Sequence, residues 1–137
     1  MSSLNDKLKI YHGIDLTSIS RIQSMLEKHG EHFKKKVFTP AEIEYAGKSK
    51  KTAQTFAARF AAKEAVLKLL RTGLRDGLKW TDIEITNDHL GAPSVTLSGR
   101  ALELAGQMGI CQVSISITHD QGFAAATAIA IAAVENL

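Results

Sequence analysis

The period of hydrophobic and polar positions changes several times along the chain, and each change marks an element. Residues 55–71, Thr-Phe-Ala-Ala-Arg-Phe-Ala-Ala-Lys-Glu-Ala-Val-Leu-Lys-Leu-Leu-Arg, contain no Gly, Pro or Asn and are rich in Ala and Leu, which lose little side-chain freedom in a helix. At 3.6 residues per turn, Phe56, Phe60, Lys63, Leu67 and Leu70 fall near one line, while Ala58, Ala62, Ala65 and Leu69 cover the opposite side. A helix apolar on nearly every side is central, packed on several faces.

Around this helix the pattern predicts an antiparallel sheet and shorter helices. Residues 8–16 alternate, with Leu8, Ile10, Ile14 and Leu16 on one face and Tyr11, Gly13 and Asp15 on the other, so Asp15 sits toward a strand end. A helix over 18–28 follows, carrying Ile19, Ile22 and Leu26 and closed by His29-Gly30, then a short helix over 31–38. Thr39-Pro40-Ala-Glu42 is a fresh start, with Thr as cap, Pro at the first position and Glu at the third. Strands over 80–86 and 94–97 flank a turn with Gly91 and Pro93 and form a hairpin. Residues 98–108 are helical, with Leu102, Ala105 and Met108 inward. The last two strands, 112–119 and 123–134, join through Gln121-Gly122. The order is mixed α+β in a single compact domain, a long central helix on an antiparallel sheet.

Charges on the central helix carry the first chemical signal. Lys and Glu rarely sit on a buried helix unless they are paired or bind something. Glu64 and Lys68 project from one face, behind Ala57 and Ala61, whose small side chains let a backbone or ligand approach. Alone they could be a surface i, i+4 ion pair contributing about 0.2–0.5 kcal/mol. Asp15, similarly, could be a turn former or a metal ligand, and His119 a structural strand-end residue.

Composition narrows the setting. The 137 residues fit one domain, and the single cysteine, Cys111, excludes an internal disulfide and agrees with a reducing cytoplasm. The polar start, Met1-Ser-Ser-Leu-Asn-Asp-Lys, lacks the apolar core of a signal peptide, and 123–134 falls short of the ~20 residues of a membrane helix. We expect a polar leader over 1–8 and one domain over 9–137. The net charge of +3 is mild, with lysines clustered at 34–36 and at 48, 50 and 51. These clusters are ordinary solvated surface or attract an acidic partner or anionic ligand. A nucleic-acid reader is disfavoured, because no interleaved aromatics accompany the lysines.

Three separate signals then align: Gly13-Ile-Asp15 with Arg21 downstream, Arg59-Phe-Ala-Ala-Lys63-Glu64-Ala with Lys68, and Ser116-Ile-Thr-His119-Asp120. Together with the segment from Gly73 to Pro93 they resemble the 4'-phosphopantetheinyl transferases, in particular the short holo-acyl-carrier-protein synthase type. The resemblance spans residues 10–130. It implies transfer of the phosphopantetheine arm of coenzyme A to a serine of apo acyl carrier protein, with release of adenosine 3',5'-bisphosphate, in fatty acid biosynthesis. It further implies magnesium and a homotrimer with sites between subunits. By matching positions, Asp15 and Glu64 would hold the metal, Glu64 would also take the serine proton, directly or through a metal-bound water, and Lys68 would hold the pyrophosphate. Arg59, Lys63, Gly73 and His119 would bind the cofactor, and Arg21 the carrier protein. Two other classes remain to be weighed: a non-catalytic nucleotide-binding module and a nucleic-acid-binding domain. The presence of Asp15, Glu64 and Lys68 together favours the enzyme.

Overall fold

The alternating segment near the start becomes β1 (Leu8–Ser18), and it pairs antiparallel with the last strand, β5 (Phe123–Ala133), which also pairs antiparallel with β4 (Ile110–Asp120). The order across this sheet is β1-β5-β4. The computed structural model describes residues 7–133. The expected leader over 1–8 and the end of the last strand therefore lie largely outside the described residues.

Between β1 and β4 in the chain come α1 (Ile19–Val37), α2 (Pro40–Gly47), α3 (Thr52–Leu70), a short 3-10 turn at Trp80–Asp82, the hairpin of β2 (Ile83–Asn87) and β3 (Pro93–Leu97), and α4 (Gly99–Gln107). The central helix, α3, begins at Thr52, earlier than its apolar run suggests. Its core role is as expected: it packs on β1, β4 and β5 on one side and on α1, α2 and β2 on others. Phe56, Ala57, Ala61, Ala62, Ala65, Val66 and Leu69 are all essentially inaccessible.

The two helices expected at 18–28 and 31–38 are both present within α1, divided by a kink where Gly30 takes the non-helical φ 39° and ψ −118°. Thr39 and Glu42 form the full reciprocal cap at the start of α2, with Pro40 in its first turn. Gln121 and Gly122 both adopt positive φ, as a two-residue turn between β4 and β5 requires.

One inward face differs from expectation, and the structure settles a second that the alternation leaves open. In α4 the buried stripe is Ala101, Leu104 and Ala105, and Leu102 points outward at 57% exposure. The apolar residues at 101, 104, 105 and 108 already satisfy the helical spacing, and Leu102 falls off it. In β1 the aliphatic side, Leu8, Ile10, Ile14 and Leu16, is the exposed one. The side facing α3 carries Tyr11, Gly13, Asp15 and Thr17, and opposite it β5 turns inward a row of alanines at 124, 126, 128, 130 and 132.

These small residues let the helix settle close to the sheet. A Cβ built on Gly13 would overlap the Ala65 carbonyl oxygen and lie 2.9 Å from the Leu69 nitrogen. Both are backbone atoms that no rotamer change can move. Gly13→Ala is therefore expected to lower stability by roughly 3 kcal/mol or more, read as a reduced midpoint in denaturant unfolding; an unchanged midpoint would mean that β1 does not press on α3 in this way.

Candidate active site

Asp15 follows Gly13 on the same face of β1, so the close approach of strand to helix sets it beside α3. Lys68 reaches across from the last turn of α3: its Nζ donates to the Ile14 carbonyl (2.9 Å) and to Asp15 Oδ1 (3.3 Å). Thr17 Oγ1 donates to the other Asp15 oxygen at 2.7 Å, which fixes the carboxylate in place. The Asp15 side chain is only 15% exposed, while Lys68 keeps about half its surface open.

Glu64 stands one turn before Lys68 on α3 and feels this arrangement. Burial raises the pKa of its carboxyl above the ordinary value, the negative charge of Asp15 raises it further, and Lys68 and Arg21 draw it back. The two acids, separated by most of the first half of the chain, thus come together. Lys68, Arg71, Gly73 and Arg75 continue from Glu64 around an open cleft of about 660 Å³, with Trp80 on its far side. The guanidinium of Arg71 also lies over the Tyr11 ring at 5.0 Å.

Arg71 and Arg75 did not emerge from the sequence as site residues, although both were legible. Arg71 is seven residues after Glu64 and so returns to the same side of the helix axis two turns on. Arg75 lies in the turn between Gly73 and Gly77, which carries the chain around the cleft.

The remaining residues expected to bind the cofactor gather elsewhere. Arg59 precedes Glu64 by five residues, which rotates it by about 140° around α3 and points it toward α2 and the hairpin. There its Nη2 donates to Asn87 Oδ1 (2.6 Å), its guanidinium stacks 4.3 Å from the Tyr45 ring centre, and its Nε meets no partner among the described residues. His119, at the far end of β4, contacts Gln54 at 3.3 Å and lines the same cavity of about 380 Å³ as Arg59, Asn87 and Tyr45. Asp120 is exposed beside it. This cavity and the cleft beside Glu64 have no lining residue in common.

Lys63 occupies neither cavity. It is fully buried, and its ammonium is taken up by Glu42 Oε1 (2.7 Å), the Trp80 carbonyl (3.1 Å) and the Ile83 carbonyl. With all three donors committed, it has none to offer a cofactor. Burial pushes the Lys63 pKa down and the Glu42 carboxylate opposes that. Glu42 in turn accepts from the Thr39 and Ile85 backbone amides, both at 2.8 Å, so the pair ties α2, α3 and β2 together. The expected cofactor role of Lys63 is corrected here to a structural one.

Residues 12–128 match the family model described as the 4'-phosphopantetheinyl transferase superfamily. The chain belongs to that superfamily. A holo-[acyl-carrier-protein] synthase of Trichlorobacter lovleyi is 48% identical over 117 residues, spanning 85% of this chain and 93% of that one. Among solved structures, an acyl carrier protein synthase of Plasmodium yoelii with ADP bound has a TM-score of 0.81 at 38% identity, covering 92% of this chain and 98% of its own. A holo-[acyl-carrier-protein] synthase of Helicobacter pylori in complex with coenzyme A has a TM-score of 0.76 at 34% identity, covering 87% and 98%. The mixed helix and antiparallel sheet architecture is thus that of the transferase family.

The raised proton affinity of Glu64 links this site to stability. A native carboxyl with a raised pKa gives the folded state its full advantage below the ordinary carboxylate range, and that advantage is lost as pH rises through the raised value. Glu64→Gln never ionises, so in the absence of metal the variant should be more stable than the parent at neutral pH, and the gap should close on acidification. Unfolding curves at neutral and acidic pH check this; a gap that widens as pH falls would contradict the environment described for Glu64.

Proposed function

We propose that this chain is a magnesium-dependent holo-[acyl-carrier-protein] synthase. It carries the 4'-phosphopantetheine group of coenzyme A to a serine hydroxyl of apo acyl carrier protein and releases adenosine 3',5'-bisphosphate. The observation that carries the reading is the convergence of Asp15, Glu64 and Lys68 beside an open, cationic cleft, in a chain nearly half identical to a protein named for that activity. A cytoplasmic role in fatty acid biosynthesis fits this reading, and among the described residues no helix is long and apolar enough to cross a membrane.

The residues divide the chemistry among them. Lys68, Arg71 and Arg75 bind the diphosphate and stabilise the charge that grows on the departing oxygen. Glu64, whose proton affinity is raised, accepts the serine proton as the serine oxygen bonds to phosphorus. The bond from that phosphorus to the adenosine bisphosphate breaks, and its electron pair leaves with the nucleotide. Asp15 steadies Lys68 through the 3.3 Å contact.

The donor set suits magnesium. No cluster of three or more His, Cys, Asp or Glu side chains is arranged to hold a metal among the described residues, but magnesium needs only one or two carboxylates when it keeps waters and phosphate oxygens. Asp15 and Glu64 would hold it, and its charge would offset the repulsion that Asp15 adds to burial in raising the Glu64 pKa. It would supply neutralisation of the phosphate oxygens.

For the carrier protein, a groove of about 470 Å³ lies along α1, with Ile22, Met25 and Phe33 on its floor and Arg21 and Lys36 on its rim. Apolar floor and basic rim suit an acidic helical partner, whose association weakens as salt rises. Arg21 acts on both sides, since its charge is also felt by Glu64.

Two features support a homotrimer with shared sites. The outer side of β1 and β5 exposes Ile10, Ile14, Leu16, Ile129 and Ile131, with Ile10 opposite Ile131, a continuous aliphatic surface of the kind that monomers avoid. The cavity with Arg59, Asn87 and His119 is separate from the cleft with Glu64 and Lys68, so a second copy is the source that could complete the cofactor site. The unpartnered Arg59 Nε is then a donor held ready for the nucleotide.

Incubation with apo carrier protein, coenzyme A and magnesium should raise the carrier's mass by one phosphopantetheine. Glu64→Gln should slow this by about 100-fold or more, and exhaustive chelation should stop it until magnesium is restored. A carrier of unchanged mass after reaction with the parent chain would end the reading. Light scattering should give the mass of three chains, and Ile14→Glu should yield folded single chains without transfer; an active preparation with the mass of one chain would remove the shared site.

A further inference from the structure

The cleft beside Glu64 and the groove along α1 share a single lining residue, Trp80. The partly exposed Trp80 therefore stands where the proposed diphosphate cleft and the proposed carrier groove adjoin. It is held from both ends. Its carbonyl accepts from the buried ammonium of Lys63, and its ring lies 5.2 Å from that of Phe60, tilted by 30°. Phe60 itself lines the groove, so the two rings form one apolar ridge standing on α3.

We infer that Trp80 touches both substrates and couples their binding. This rests on the transferase reading, which makes the cleft and the groove parts of one reaction path. The serine must reach phosphorus from the groove side, and the pantetheine arm begins at that same phosphorus. Both pass Trp80, which borders the two cavities. The arm offers methyl groups and amides, which suit a flat apolar ring with a single N–H donor at its edge. The carrier segment covers the groove side of the ring and excludes water from it, and each ligand orders the surface that the other meets. Coupling of this kind is reciprocal: coenzyme A tightens carrier binding by the same factor as carrier tightens coenzyme A.

Lys63 takes a positioning role through Trp80. Its hydrogen bonds to the Trp80 and Ile83 carbonyls fix the 3-10 turn over α3, which sets how far the indole stands from Glu64 one residue further along the helix.

The chain contains one tryptophan, so its emission reports this residue alone. With the trimeric parent enzyme, coenzyme A alone should change the emission saturably, and a tryptophan-free apo carrier protein alone should change it in a separate, salt-sensitive titration. Trp80→Ala should raise KM for both substrates by about tenfold while kcat changes little, and should abolish the dependence of the carrier's KM on coenzyme A concentration. Trp80→Phe should restore most of each effect. If the parent transfers phosphopantetheine but its emission ignores both substrates, the inference is overturned and the transferase reading stands. The inference is equally overturned if Trp80→Ala, or Trp80→Leu where the alanine variant does not fold, keeps both KM values and their coupling unaltered. If the parent transfers nothing, the reading falls and takes this inference with it.

Discussion

The contact between β1 and α3 at Gly13 governs the rest of the site. Two backbones meet there without a side chain between them, and the strand cannot rise from the helix without opening a gap in the core. Asp15 is two residues along the strand, and Glu64 and Lys68 flank the helix turn that Gly13 touches. Their juxtaposition is thus a packing consequence before it is an electrostatic one. The like charges of the two acids would push them apart, a repulsion that adds to burial in raising the Glu64 pKa, and the apolar contact holds them together.

A second, wholly buried device works from the opposite side of α3. The Lys63–Glu42 pair is desolvated and costly to bury, but every polar atom of the pair has a partner in α2, the 3-10 turn or β2. Hydrogen bonds have directions that hydrophobic contacts lack, so the pair fixes the angle at which the hairpin and α2 sit on the helix. Neighbouring positions in one motif therefore divide the labour: Lys63 organises the scaffold and Glu64 turns toward the open cleft. Consecutive helical residues are about 100° apart, and this rotation is what lets one short segment serve both ends.

Much of this was legible from spacing alone. The Ala-rich run announced α3, the Thr39-Pro40-Glu42 signature announced the cap of α2, and strict alternation announced β4. What spacing could not convey was which side of an amphipathic element meets the core. In β1 the aliphatic residues look like the inward set, but a helix lined with alanines needs a partner face nearly free of side chains, so Gly13 goes in and Ile10, Ile14 and Leu16 go out. For Lys63 the motif pointed toward cofactor, because a lysine beside a site glutamate resembles an anion-binding group; the partner that claims it, Glu42, is distant in sequence and carries no local sign of the pairing. The convergence of Asp15 with Glu64 followed from the family resemblance, and its physical cause at Gly13 became visible only in three dimensions.

The alanine row of β5 works as a spacer of minimum thickness. Positions 124, 126, 128, 130 and 132 each present one methyl group to the helix layer, so the interval between sheet and helix is near the least a side chain allows. Any enlargement along that row would lift α3 as a lever, with the displacement felt at the acid pair many ångströms away. The fold has tied the gauge of its candidate active site to the smallest residues of its interior, and those positions have less freedom to vary than their lack of chemistry suggests.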